Sequence, residues 1–203
     1  GAEHFMLFGS GTMQEAHRRW FERDLPAGVH YRNVSEDWHG LALSGPKSRA
    51  VLAELTREDV SAAGFAFRDT KMTYVAGVPV ILTRISFSGE LAYEIHVPNA
   101  SLYAAWLALR KAGEAHGSKL FGARAVESMR MEKGFLHWKA DLLTEFDPFE
   151  TGLARFVKLD KGDFIGKAAL VKRQAEGQRR QLVTLKIAAR HAPTRGGASL
   201  MHE

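Results

Sequence analysis

Apolar and polar residues alternate most regularly between Leu91 and Val97. Leu91, Tyr93, Ile95 and Val97 fall on one side, and Ala92, Glu94 and His96 on the other. A period of two predicts a β-strand with one face covered. Lys71–Val75 and Val78–Ser86 read as two preceding strands. Ala76-Gly77 and Ser88-Gly89 supply the turns of a three-stranded run. Trp38–Leu43, Val29–Val34, His4–Phe8 and Gln181–Ile187 carry enough apolar and β-branched residues to predict further strands.

Helical spacing appears elsewhere. Thr12 opens a helix that runs to Leu25 and is ended by Pro26-Ala-Gly28. Gly45-Pro46 opens a short one over Lys47–Leu55. Pro98-Asn-Ala-Ser101 leads into a helix whose predicted core stripe is Leu102, Tyr103, Trp106, Leu107 and Leu109, with Gly113 to Gly117 ending it. Further helices are predicted over Ala123–Lys133, stopping at Gly134, and Lys167–Ala175. Asp147-Pro-Phe-Glu-Thr-Gly152 reads as a turn. Hairpins mixed with helices predict an α+β fold with mixed or antiparallel sheets and packed helices.

Composition narrows this only a little. With 203 residues the chain is long enough for one domain or two joined lobes with a real core. A net charge of +5 is mild, and the densest basic cluster, Lys172-Arg173 with Arg179-Arg180, reads as a solvated helix end rather than a nucleic-acid stripe. The absence of cysteine excludes disulfides, thiolate metal sites and cysteine nucleophiles. No apolar run reaches the ~20 residues of a membrane helix. The first ten residues lack the basic and apolar regions of a secretory signal. The expectations are therefore no nucleic-acid partner, no membrane, no secretion, and a cytoplasmic location or, in a eukaryote, the mitochondrial matrix.

The candidate chemistry centres on Glu94. A carboxylate in mid-strand is solvated, paired, or used on a ligand, and His96 is its nearest candidate partner on the same face. Arg130, with Glu127 three residues earlier on a helix, reads as a structural ion pair. Phosphate loops, dinucleotide fingerprints, zinc-type paired histidines and serine nucleophile elbows are all missing.

Four segments in order carry a family resemblance: Leu41-Ala-Leu-Ser-Gly-Pro-Lys-Ser-Arg-Ala-Val-Leu52, Arg84 to Pro98, Glu127-Ser-Met-Arg-Met-Glu-Lys-Gly134, and Lys161-Gly-Asp-Phe-Ile-Gly-Lys-Ala-Ala-Leu170. The set resembles the aminomethyltransferase family, the T-protein of the glycine cleavage system. Glu132-Lys-Gly-Phe135, Trp138, Asp147-Pro148 and Val157-Lys-Leu-Asp-Lys161 make it most similar to the folate-binding region of dimethylglycine and sarcosine dehydrogenases. The resemblance implies ferredoxin-like lobes, a tetrahydrofolate cofactor, and transfer of a one-carbon unit from a methylated amine. FAD would sit in a separate domain of the parent enzyme. It places the pterin-binding glutamate on Glu94, since a carboxylate accepts two hydrogen bonds from a pterin edge. It also puts aromatic contacts on Phe87 and Trp138, where the family often has tyrosine.

The chain departs from the family twice. A folate-contacting arginine is replaced by Val126. Arg124, two residues earlier, is the nearest substitute, though about 200° round the helix. The catalytic aspartate's motif is absent, and the resemblance implies that this acid lies upstream of the chain. The expected organisation is a folate-binding region over residues 1–190, built of two intertwined α+β lobes with its N-terminal part missing, and the start of a truncated barrel-like domain over 191–203. Such a piece of a longer enzyme would bind without catalysing. The alternative is a noncatalytic folate-binding, scaffold or assembly protein of the same fold. Against the assembly relatives stands Lys161-Gly-Asp-Phe-Ile-Gly-Lys167, which lacks their reactive cysteine.

Overall fold

A computed structural model describes residues 3–138 and 140–188. The expected barrel start at 191–203 lies outside them. The chain divides into two compact units, Gly1–Phe135 and Leu136–Glu203.

The first unit is built on a four-stranded antiparallel sheet. Its strands are β1 (Trp38–Ser44), β2 (Thr70–Val75), β3 (Val78–Thr83) and β4 (Ala92–Pro98), in spatial order β1-β4-β3-β2. The predicted hairpins are present, with β1 added as a fourth strand beside β4. The β2–β3 turn is tight because Ala76 and Gly77 both adopt positive φ, 52° and 78°, the conformation of a two-residue hairpin loop. The described residues also form five α-helices: α1 (Gln14–Arg23), α2 (Ser48–Ala53), α3 (Leu102–Ala115), α4 (Ala123–Glu132) and, in the second unit, α5 (Lys167–Glu176). This is the α+β class that the pattern predicts.

The core lies under one face of the sheet. Leu82, Tyr93, Ile95 and Val97 are fully buried, packed with Leu52 of α2, Ala105 of α3 and the loop residues Val60 and Phe65. The Tyr93 ring stacks on Phe65 with centroids 6.0 Å apart. Its hydroxyl accepts from Arg49 Nε at 3.3 Å, so the polar end is not orphaned. At the β2 edge of this face Lys71 donates to Glu58 at 3.2 Å and to the Gly64 carbonyl at 3.1 Å, and Thr73 donates to Glu58 at 3.0 Å.

The structure corrects three predicted strands. His4–Phe8, Val29–Val34 and Gln181–Ile187 have no strand partner among the described residues. Each has strand-like composition, but a strand exists only where a neighbour takes its backbone hydrogen bonds. In the second of them Tyr31 packs against Phe21 of α1 instead, ring centroids 5.5 Å apart. The predicted stripe of α3 is also corrected. Tyr103 and Leu107 are exposed, while Ala105 and Gly113 are buried and Leu109 packs against the core. Ala105 joins the core cluster, and Gly113 is buried against Ser118.

The second unit is tied together by charge. Arg173 of α5 pairs with Asp147 at 2.7 Å, and Arg180 with Glu150 at 3.3 Å. The Glu150 side chain is only 3% exposed. Burial opposes the charge on Asp147. The backbone N–H groups of Glu150 and Phe149 and the Arg173 guanidinium outweigh it and hold the carboxyl below its ordinary value. Most of the basic cluster is thus spent on acidic partners: Arg173 and Arg179 both reach Glu176.

Candidate functional site

The alternation along β4 holds. Tyr93, Ile95 and Val97 point into the core, and Glu94 and His96 point out of it. Antiparallel pairing sets their neighbours on the outer face. Glu94 lies between Ala42 of β1 and Thr83 of β3, and His96 between Gly40 and Ile81. Two of these four neighbours, Gly40 and Ala42, have almost no side chain. The β1 side of Glu94 is therefore a low shelf.

The Glu94 side chain is 46% exposed, and its Oε2 lies 3.5 Å from His96 Nε2. That is within ion-pair range but longer than an ordinary N–H···O bond of ~2.7–3.2 Å. No lysine or arginine pairs with it among the described residues. Glu94 is thus both partly solvated and beside a histidine. His96 is covered in turn by Phe8, whose ring centroid lies 4.4 Å away at a 33° tilt.

The loop before β4 is held rigidly. Gly45 N–H and Ser48 Oγ both donate to the Leu91 carbonyl, at 2.8 and 3.0 Å, and the Ser88 hydroxyl bonds the Ser44 hydroxyl at 2.7 Å. Gly89 has φ +80°, and a Cβ there would stand 2.2 Å from Cγ of Lys133. Only glycine fits both the angle and the approach. Phe87 is carried on this loop with 40% of its surface exposed.

A family profile, the GCVT N-terminal domain, matches residues 1–161. Human mitochondrial dimethylglycine dehydrogenase is 37% identical over 205 residues, covering 98% of this chain and 23% of the relative. Mouse mitochondrial sarcosine dehydrogenase is 41% identical over 187 residues, covering 91% of this chain and 20% of the relative. An aminomethyltransferase of Caldanaerobacter subterraneus is 36% identical over 196 residues, covering 95% of this chain and 52% of the relative. The chain belongs to the GCVT N-terminal domain family. The resemblance read from its four ordered segments, to folate-dependent one-carbon transfer, falls in that family. The chain spans a fifth to about a half of the length of these relatives.

Within this family member the structure groups Glu94 with His96 and Phe8. Arg124 stands exposed on the first turn of α4, and Val126 is half-buried. No contact draws Arg124 to Glu94. Trp138 belongs to the second unit, where it is 61% exposed beside a turn whose amides at 140, 141 and 142 converge on the His137 carbonyl. The expected Arg130–Glu127 pair forms, and Arg130 also donates to the Phe135 carbonyl at 2.9 Å, fixing the end of α4. Phe8 is the neighbour that the sequence did not single out. Its only signal was an apolar run, which read as a strand.

Proposed function

We propose that this chain is a tetrahydrofolate-binding region for one-carbon transfer in a dimethylglycine or sarcosine dehydrogenase-like enzyme. One observation carries this reading. Glu94 is a half-exposed carboxylate with no lysine or arginine paired to it among the described residues, rising beside a shelf of Gly40 and Ala42 from a strand whose other face is fully buried.

The donor set suits the cofactor. An ionised carboxylate is acceptor-only, with two oxygens side by side. A pterin presents a ring N–H and an exocyclic amine in matching positions, and two such charge-assisted bonds fix both placement and orientation. The rigid loop gives Phe87 a set position from which to stack on the ring. Trp138 and Arg124 are assigned to the folate by resemblance alone. The bound cofactor would accept the one-carbon unit at its own nitrogens. This chain's residues hold and orient it, and the methylated amine and the FAD belong to the longer enzyme. The mitochondrial and bacterial relatives fit a matrix or cytoplasmic location.

The test is a calorimetric titration of the chain with 5-formyltetrahydrofolate, beside Glu94→Ala of matching circular dichroism. The reading expects saturable binding that weakens at least about tenfold in the variant, ~1.4 kcal/mol. Equal affinity in the two proteins would move the site away from Glu94. No binding by either would refute folate binding by this chain.

A further inference from the structure

We propose that His96, held by Phe8, is the positioning residue of the Glu94 carboxylate and makes ligand binding at Glu94 depend on pH. The inference rests on the folate reading and extends it to residues that the resemblance does not assign.

His96 is unusual for an outward-facing strand residue, because its side chain is only 15% exposed while that of Glu94, two residues away on the same face, is 46% exposed. Three elements close round the imidazole. Gly40 of β1 stands opposite it in the register, close enough that a Cβ there would meet the ring at 3.5 Å, in ordinary contact. Ile81 of β3 stands opposite in the register. The Phe8 ring covers it from the N-terminal segment. None of these three neighbours is charged. The charged group at its side is Glu94; His39 of β1 is opposite Val97 in the register, and His17 of α1 lies against Gly9, next to Phe8, 2.9 Å from where a Cβ would be. His4 belongs to the same segment as Phe8.

The 3.5 Å between His96 Nε2 and Glu94 Oε2 has two consequences. A neutral imidazole at that distance limits the rotation of the carboxylate without occupying its lone pairs, so both oxygens stay open to a ring with two donors. A protonated imidazole attracts the carboxylate, shortens the contact and turns one oxygen away from the ligand. Phe8 shields the imidazole by packing its ring against it. It packs on His96 without joining the core, so its loss releases the ring and leaves the sheet intact.

The experiment titrates the full chain with 5-formyltetrahydrofolate at about pH 7.5 and about pH 5.5, which bracket ordinary imidazole titration. The proteins compared are wild type, His96→Gln, Phe8→Ala, His17→Gln and Glu94→Ala, with thermal melting of each as a control. Wild type and His17→Gln are expected to bind several-fold more weakly at the lower pH. His96→Gln is expected to show no such change between the two values. Phe8→Ala is expected to weaken binding at both while melting within a few degrees of wild type. A His96→Gln profile parallel to wild type overturns the proposal, as does Phe8→Ala binding of wild-type strength. If Glu94→Ala abolishes binding while both of those outcomes occur, the folate reading stands and the positioning role alone falls. Binding absent in wild type, or unaffected by Glu94→Ala, brings down both.

Discussion

The two faces of β4 are built from the same seven residues under opposite rules. On the inner face Tyr93, Ile95 and Val97 are sealed off from water, and the hydroxyl of Tyr93 has an arginine donor. On the outer face Glu94 stays half-exposed with one loose neighbour, and the β1 residues beside it, Gly40 and Ala42, are too small to crowd it. The inner face explains why the strand exists. The outer face holds a charged group that the fold does not need. Where one strand separates the two tasks this cleanly, stability and binding should respond to different substitutions.

The largest expected effect on stability is on the inner face. Ile95→Ala removes a fully buried side chain from the middle of the cluster and should cost about 2–5 kcal/mol in chemical denaturation. A loss below ~1 kcal/mol would mean that the cluster is not the unit's core.

Next comes the loop that bears Phe87. Gly89→Ala must hold an alanine at φ +80° and push Lys133 aside. A cost of about 1–2 kcal/mol is expected from the backbone angle. Because the loop also aims Phe87, folate affinity should fall together with stability. A change in melting temperature with unchanged affinity would separate Phe87 from the site.

The smallest effect is an acid limb at the edge of the inner face. Hydrogen bonds from Lys71 and Thr73 lower the Glu58 carboxyl below its usual value. The folded state therefore favours the ionised form. Its contribution is fully present above the unfolded carboxylate value of roughly 4.3 and is lost as pH falls through the lower, folded one. Lys71→Met should flatten stability against pH in that acid window and leave the outer face's affinity for folate unchanged. A pH dependence identical to wild type would show that the Lys71–Glu58 contact contributes nothing.

Much of this division was legible in the sequence. The period-two pattern through Leu91–Val97 assigned both faces of β4 because alternation fixes the side on which each residue lies. The Ala76-Gly77 turn and the Arg130–Glu127 pair are local and equally readable. Long-range features were not. Nothing in His4–Phe8 says that Phe8 covers a histidine nearly ninety positions away instead of pairing as a strand. The face that α3 presents to the core is set by tertiary packing, and it buries Ala105 while Tyr103 and Leu107 stay exposed. Gln181–Ile187 has the composition of a strand, yet among the described residues no strand pairs with it; Leu182 donates a backbone hydrogen bond to the Glu150 carbonyl at 2.9 Å instead.

Everything proposed for the outer face depends on the carboxylate of Glu94 holding the pterin ring. A crystal structure of this chain with 5-formyltetrahydrofolate tests it most directly. The ring is expected over Gly40 and Ala42, with two of its nitrogens within ~2.7–3.2 Å of the two Glu94 oxygens. A folate bound elsewhere, with Glu94 still facing only His96, would contradict it.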